Sequence, residues 1–222
     1  MVCGAALLYE NDQTVRICHY CGRSHPTAMS CPSGHYVCDA CHTASTADLV
    51  RRLLEGATET HPGALLERVM ALPGLPMHGP EHHAIVPGVV VVAARNGGFA
   101  MPADALDTVL RRGAKVPGGW CGYYGACGAA VGAGIAVSAL TRATPVKGEQ
   151  RTLALSATAR ALESMLDGQP RCCKRASRLA ISAAVEFLRE RIRIDLPAPD
   201  AVVCSSSSRN RECAGADCPY HA

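Results

Sequence analysis

The sequence has few aromatic side chains and no long apolar run. Among its 222 residues are six Tyr, two Phe and one Trp. The longest apolar run, residues 89–94, falls far short of the roughly 20 residues needed to cross a bilayer. No basic stretch followed by an apolar stretch opens the sequence, so we expect no signal peptide. These absences predict a cytoplasmic protein that does not enter a membrane.

The chain also has little net charge. A formal charge of +3 is too small to indicate nucleic-acid binding. With 48% hydrophobic and 18% charged residues, the composition is that of a folded chain. A chain of this length buries roughly 70% of the surface that it exposes when unfolded, so it needs no covalent cross-links to fold.

Cysteine and histidine are abundant instead, with 13 and 9 residues. Thiols stay reduced in the cytosol, and an odd count does not pair completely, so we do not expect a disulfide framework. Metal binding or catalysis is the better interpretation of these cysteines.

The apolar pattern predicts a mainly α fold. No alternation of period two is found, so we predict no strand. Ser45 or Thr46 is expected to cap the first helix. The predicted helices cover residues 48–54, 62–72, 80–94, 102–112, 125–141, 148–166 and 170–191.

Composition divides the chain into three parts. We predict a zinc-knuckle module at 1–42, a helical metal-cluster core at 43–194 and a cysteine-bearing tail at 195–222 that packs on the core. The tail is rich in Pro, Ser and Cys and lacks apolar periodicity. Because such a segment forms no core of its own, metal ligation is the expected source of its order.

Two C-x2-C turns define the N-terminal module. Cys18 and Cys21 are followed, after sixteen residues, by Cys38 and Cys41. This spacing is typical of a structural zinc site with four thiolates, and iron is the alternative because it accepts the same geometry.

Cys31 and His35 lie between the two turns and exceed what one metal ion needs. They could form a second site with Cys3, with His42 or with the C-terminal cysteines. The alternative is that they are surface residues of the loop.

Three histidines and a glutamate mark the start of a predicted helix, at His78, Glu81, His82 and His83. The positive end of the helix dipole favours neutral imidazole there, which suits a proton acceptor or a metal ligand. The alternative is one capping histidine beside two solvated ones.

A glycine-rich segment, residues 118–134, carries Cys121 and Cys127. Glycine weakens a helix, so this composition indicates close approach of the backbone to another helix or to a compact inorganic cluster. Near a helix start, the pKa of the Cys127 thiol is expected to be lowered.

The segment 171–175 places Cys172 and Cys173 at a helix start, between Arg171 and the pair Lys174 and Arg175. Three cations and a helix N terminus favour an anionic centre, such as a thiolate, a cluster or a carboxylate. The alternative is small core cysteines beside solvated cations.

In the tail, Cys204, Cys213, Cys218 and His221 could form a metal site. The spacing matches no common zinc finger. These thiols could equally reach back to Cys121, Cys127 or Cys172.

The glycine-rich cysteine helix, with a second cysteine segment some 45 residues later, resembles the iron–sulfur L-serine dehydratase and L-cysteine desulfidase family. That resemblance implies a [4Fe–4S] cluster held by three cysteines on an all-helical domain, with one open iron. Cys127 is similar to the first cluster cysteine of the family, and Cys172 or Cys173 to the last. Asp167 and Gly168 occupy the place where the family has a further cluster cysteine, so Cys121 or Cys204 would have to supply that ligand.

Taken whole, the chain resembles an uncharacterised cysteine-rich domain family of archaea and anaerobic bacteria. The resemblance rests on the N-terminal knuckles and on residues 78–83, 171–175 and 210–220. Some members carry methyltransferase-like domains, so the resemblance implies a partner of that kind but no activity.

We therefore expect an iron–sulfur lyase that acts on a small carboxylate bearing a hydroxyl or thiol group. His82 or His83 would move the proton, while Arg171, Lys174 and Arg175 would hold the carboxylate. The alternative is a non-catalytic metal-binding module that delivers electrons, sulfur or metal to a methyltransferase or redox partner. A third possibility is a structural protein that contains only zinc.

Overall fold

The structure, a computed structural model, describes residues 2–221 and is mainly α-helical. It divides into two compact units. The knuckle unit comprises the chain up to Ala57 together with Ala71–Leu75. The helical unit comprises Thr58–Met70 and the chain from Pro76 onward, so the tail shares a unit with the helices.

The knuckle unit contains two antiparallel strands and two helices. Strands β1 (Leu8–Ile17) and β2 (Ser24–Ser30) are followed by α1 (Asp39–His42) and α2 (Thr46–Gly56). Ser45 caps α2, as predicted, because its hydroxyl accepts a hydrogen bond from the Asp48 amide at 3.2 Å.

The prediction of no strand is wrong for this unit. Val15 and Ile17 on β1 are exposed, and the pairing shifts in register between Tyr9 and Thr14. Strand β2 also contains Pro26. With neither face of β1 buried, the strands lack the apolar alternation that sequence patterns detect, and backbone pairing holds them instead.

The helical unit confirms the predicted helices with shifted ends. Helices α7 (Gly128–Leu140) and α9 (Cys173–Phe187) each begin three residues later than predicted, because Cys127 and Cys172 are their N-caps. A π-helical turn, Leu188–Ile192, continues α9, and short 3₁₀ turns lie at Ser207–Arg209 and Gly215–Asp217. The helices are α3 (Pro62–Met70), α4 (Glu81–Asn96), α5 (Ala105–Gly113), α6 (Trp120–Tyr123), α7 (Gly128–Leu140), α8 (Gly148–Glu163) and α9 (Cys173–Phe187).

Helix α4 forms the centre of the core. It contacts α3, α5, α7 and α9, and nearly every residue from His82 to Ala94 is buried. The valine run within it, which alone would also suit a strand, is thus part of a helix that is apolar on all sides. None of the helices described for residues 2–221 is long and apolar enough to span a bilayer.

The glycines of α7 allow close helix packing. A β-carbon on Gly134 would overlap the Thr158 hydroxyl and lie 2.8 Å from the Ala154 carbonyl oxygen of α8. Close approach to another helix, one of the two partners expected from the sequence, therefore accounts for this part of the glycine-rich segment.

Candidate metal centres

The four knuckle cysteines form a buried group that could hold a metal ion. We call Cys18, Cys21, Cys38 and Cys41 the cysteine tetrad. Their sulfur atoms all lie within 4.8 Å of one another. A tetrahedral ion with metal–sulfur bonds of about 2.3 Å places its sulfurs about 3.8 Å apart. The Cys21 and Cys38 sulfurs are 3.9 Å apart, which fits a single ion.

The thiols of the tetrad differ in acidity. Burial raises the pKa of Cys18, but hydrogen bonds from the backbone N–H groups of Cys21, Cys38 and Tyr20 lower it by a larger amount. The resulting pKa is about 7, below the usual value for a thiol. Burial and the neighbouring thiols raise the pKa of Cys41. Four thiolates do not share a buried site without a counter-charge, and a bound dication would supply it.

Cys3, Cys31 and His35 form a second group with ligand atoms within 4.8 Å. The Cys31 sulfur lies 3.6 Å from that of Cys3 and 3.3 Å from Nδ1 of His35. Cys3 is therefore the one of the expected additional ligands that lies within this group with Cys31 and His35. His42 lines the adjoining cavity of about 360 Å³.

In the helical unit, four cysteines line one cavity of about 400 Å³, which we call the thiol cavity. Cys121 lies in α6, Cys127 is the N-cap of α7, Cys172 is the N-cap of α9, and Cys173 is the first residue of α9. His83, from the first turn of α4, lines the same cavity.

Hydrogen bonding fixes the tautomer of His83. Its Nδ1 lies 2.9 Å from the carbonyl oxygen of Val116. Because a carbonyl only accepts, Nδ1 carries the proton and Nε2 retains its lone pair. The ring lies against Gly128, where a β-carbon would overlap it. His83 therefore offers a basic nitrogen whose position is fixed by packing.

The other two histidines of the motif have different surroundings. His82 is fully buried and lies outside the lining of the thiol cavity. Burial, helped by the positive charge of Lys174, lowers the pKa of His82 to about 4. Nε2 of His78 lies 3.0 Å from Oδ1 of Asn210 and 3.2 Å from Oε2 of Glu212, which ties the motif to the tail.

The three cations that were predicted to bind the substrate carboxylate also lie in different surroundings. Arg171 is exposed and lines the thiol cavity. Arg175 lines it as well, but its guanidinium lies 3.2 Å from Asp167 and donates to the Pro170 carbonyl oxygen at 2.9 Å. Lys174 is buried and lines a different void, beside the tail.

The expected low pKa of the Cys127 thiol is not found. Burial raises the pKa, and the backbone N–H groups of Ala129 and Ala130, which favour the thiolate, offset only part of that increase. Burial likewise raises the pKa of Cys173, against a hydrogen bond from the Gly79 backbone. These N–H groups remain suitable donors to a metal-bound sulfur.

The tail cysteines meet Cys172 rather than the thiol cavity's other cysteines. Cys172, Cys204, Cys213 and Cys218, which we call the tail thiols, line one small void together with His221. The Cys204 amide donates to the Tyr220 carbonyl oxygen at 2.7 Å, which closes the tail around this void.

Sequence reasoning did not identify the ion pairs around these centres. Arg178 donates to both carboxylate oxygens of Glu67, at 2.7 and 2.8 Å. The Val116 carbonyl that orients His83 was also missed, as was the pairing of Asp167 with Arg175. Partners 111 positions apart, such as Glu67 and Arg178, leave no local signal in a sequence.

A model of a family of unknown function, DUF5714, matches residues 50–221, more than half of the chain. The chain belongs to DUF5714. No curated protein matches it, and no solved structure matches it. The part that matches DUF5714 contains the thiol cavity and all four tail thiols, whereas the cysteine tetrad lies outside it.

Proposed function

We propose that the helical unit is an iron–sulfur enzyme of the lyase type, with its active site in the thiol cavity. The observation that carries this proposal is the convergence of four cysteines and one basic imidazole nitrogen on a cavity of about 400 Å³. A cavity of that size accommodates a cluster and a small substrate together.

The residues around the cavity fit a [4Fe–4S] cluster held by Cys121, Cys127 and Cys173. Among residues 2–221, the groups whose ligand atoms all lie within 4.8 Å are both in the knuckle unit, so these three thiols are spaced more widely than around a single ion. Two of the glycines that line the cavity, Gly122 and Gly125, have no atom within 4 Å of the place where a β-carbon would stand, which leaves room for the cluster.

Three cysteines leave one iron of such a cluster without a protein ligand, and that iron would supply Lewis-acid chemistry. The resemblance to the iron–sulfur L-serine dehydratase and L-cysteine desulfidase family supports the same arrangement. It implied Cys127 and either Cys172 or Cys173 as ligands. We choose Cys173, because it lines the thiol cavity alone, whereas Cys172 also lines the void beside the tail.

The substrate class is a small carboxylate with a hydroxyl or thiol group on Cβ. Nε2 of His83 takes the proton from Cα, a double bond forms between Cα and Cβ, and the Cβ–O or Cβ–S bond breaks. The leaving group departs with the bond's electron pair and, with one proton, becomes water or hydrogen sulfide. Arg171 binds the substrate carboxylate at the cavity's exposed edge.

In the knuckle unit, we propose that the cysteine tetrad binds zinc. The support is its closed set of four buried thiols at single-ion spacing, which is the usual ligand set of a structural zinc site. This ion would stabilise the fold around the two C-x2-C turns.

The test of the lyase is turnover by protein purified without air. The protein is incubated with hydroxyl- and thiol-bearing carboxylates, and the unsaturated or oxo acid and the hydrogen sulfide are measured. His83→Gln should lower turnover by about 10²-fold or more, because general base catalysis contributes that much, while iron content stays unchanged. The matched control is His61→Gln, since His61 pairs with Asp200 outside the cavity.

Two results would overturn the proposal. A fully iron-loaded protein without activity across the substrates would exclude the lyase, and a colourless protein that holds only zinc would exclude the cluster. Loss of iron from His83→Gln would make the histidine a ligand, which contradicts the role given to it here.

A second candidate function is a metal-binding module that delivers electrons, sulfur or metal to a methyltransferase or another redox enzyme. It is favoured by thiol groups beyond the needs of one active site, namely the cysteine tetrad, the group around Cys31 and the tail thiols. An iron-loaded protein without lyase activity that transfers electrons to an added acceptor would support this function.

A further inference from the structure

We propose that the tail thiols hold a second iron–sulfur cluster, a closed [4Fe–4S] centre with one cysteine on each iron. This centre is separate from the cluster of the thiol cavity and does not depend on lyase activity. The tail thiols are Cys172, Cys204, Cys213 and Cys218, and they enclose a void of about 20 Å³.

The tail buries too little apolar surface to order it by packing alone. Among the described residues from 197 to 221, Ser206 alone is buried, and the regular structure consists of two short 3₁₀ turns. Ordering a residue costs about 1–2 kcal/mol of backbone entropy, and so little apolar burial does not offset that for the whole segment. Ligation of three tail cysteines to one metal centre would offset this cost in entropy.

Backbone amides already point at the sulfurs. The amide of Ser206 donates to the Cys204 sulfur at 3.4 Å, and that of Gly215 to the Cys213 sulfur at 3.5 Å. On the facing helix, the Arg175 amide donates to the Cys172 sulfur at 3.4 Å. Hydrogen bonds to sulfur stabilise cluster thiolates and tune their reduction potential.

Buried cations surround the same void. Lys174 and Arg178, exposed by 2% and 6%, both line it. Arg178 pairs with Glu67 and lines the void together with Cys204. The Lys174 ammonium donates to the Met70 carbonyl oxygen at 3.0 Å, which satisfies a hydrogen bond but brings no negative charge. A buried cation is stable next to an anion, and a cluster with four thiolates is anionic.

The spacing favours a cluster over a single ion. Both groups with ligand atoms all within 4.8 Å, as found among residues 2–221, belong to the knuckle unit. Among the described residues, no three of the tail thiols therefore have sulfurs that all lie within 4.8 Å of one another, whereas the sulfurs around one tetrahedral ion are about 3.8 Å apart.

Cys172 and Cys173 can bind two different metal centres because helix α9 begins between them. Cys172 is the N-cap of α9 and has an extended backbone, with φ −138° and ψ 105°, whereas Cys173 is helical. Neighbouring side chains around an extended residue point to opposite sides. Cys172 lines both the thiol cavity and the void of the tail thiols, whereas Cys173 lines the thiol cavity alone, so Cys172 is the one of the two that can serve the tail centre.

The experiment measures iron and acid-labile sulfide in the full chain purified without air. Wild-type protein should contain about eight irons, in two [4Fe–4S] clusters. Cys213→Ala should lose about half of the iron and keep the rest, and Cys127→Ala should lose the other half. Far-UV circular dichroism checks that each variant remains helical.

A second variant removes no ligand. Lys174→Met should shift the reduction potential of one cluster to a more negative value, because the added electron loses a neighbouring positive charge. The matched control is Lys147→Met, since Lys147 is exposed and donates to the Arg142 carbonyl oxygen away from the void.

These results separate the two centres. Iron content unchanged in Cys213→Ala, or loss of one zinc in its place, would overturn the tail cluster, as would an unchanged potential in Lys174→Met. Loss of iron in Cys213→Ala but not in Cys127→Ala would support the tail cluster while removing the cluster from the proposed active site.

Discussion

Substitution of Gly128 by Ala tests how tightly the structure holds His83. A β-carbon at position 128 would overlap Cγ, Cδ2 and Nε2 of the imidazole ring. The ring has little freedom to move, because Nδ1 is bonded to the Val116 carbonyl oxygen and His83 is only 8% exposed. The added methyl group must therefore displace the ring, the start of α7, or both.

The expected cost follows from overpacking. Inserting a methyl group into a well-packed region typically costs about 1–3 kcal/mol. Alanine gains up to about 1 kcal/mol of helix propensity over glycine in a helix interior, and less at the first residue of a helix. We therefore expect a net loss of about 1–2 kcal/mol, which for a domain of this size lowers the melting temperature by about 2–8 °C.

Gly148→Ala is the matched control. Gly148 is the first residue of α8, as Gly128 is of α7, but a β-carbon there has nothing within 4 Å. Thermal unfolding of both variants is followed by circular dichroism, without air and at one scan rate, with iron content measured in parallel. Equal melting temperatures for Gly128→Ala and Gly148→Ala would refute the close packing of His83 on α7.

Two further predictions concern stability. The pKa of His82 is about 4 in the folded protein, compared with 6.5 in the unfolded chain. The contribution of neutral His82 to the free energy of unfolding is therefore fully present above pH 6.5. It is lost as the pH falls below 6.5, because the unfolded chain then binds a proton that the folded protein does not. The urea-derived free energy of unfolding should drop by about 2 kcal/mol more between pH 7 and pH 5 in the wild type than in His82→Gln, and equal drops would contradict this. Glu67→Gln leaves the buried Arg178 without its carboxylate and should cost about 2 kcal/mol of unfolding free energy. Glu186→Gln, which removes an exposed partner of Arg160, should cost about 0.5 kcal/mol or less, and equal costs would contradict the difference in burial.

Local signals in the sequence predicted the helices well. Ser45 caps α2 because a serine hydroxyl satisfies an orphan amide, and this preference is readable from a few residues. The strands were missed because Val15 and Ile17 on β1 face solvent, so no buried stripe reveals them. Their order depends on pairing across a turn, which a single segment does not encode.

The candidate sites show the same division between local and distant information. The cysteine tetrad is readable because each C-x2-C turn brings two thiols together regardless of the rest of the fold. The position of Cys172, which lines both the thiol cavity and the void of the tail thiols, was not readable. It depends on where α9 begins, since a helix that includes Cys172 turns it about 100° from Cys173, whereas an extended N-cap sends the two side chains to opposite sides.

The two proposed clusters differ in the chemistry that each can support. Elimination of water or hydrogen sulfide moves no net electrons, so the lyase needs only the three-cysteine centre with its open iron and His83. A cluster with four cysteines has no open position for a substrate, but it can change oxidation state without gaining or losing a ligand. Under these proposals, catalysis and electron delivery would belong to different centres rather than compete for one, and the peptide bond between Cys172 and Cys173 would join them.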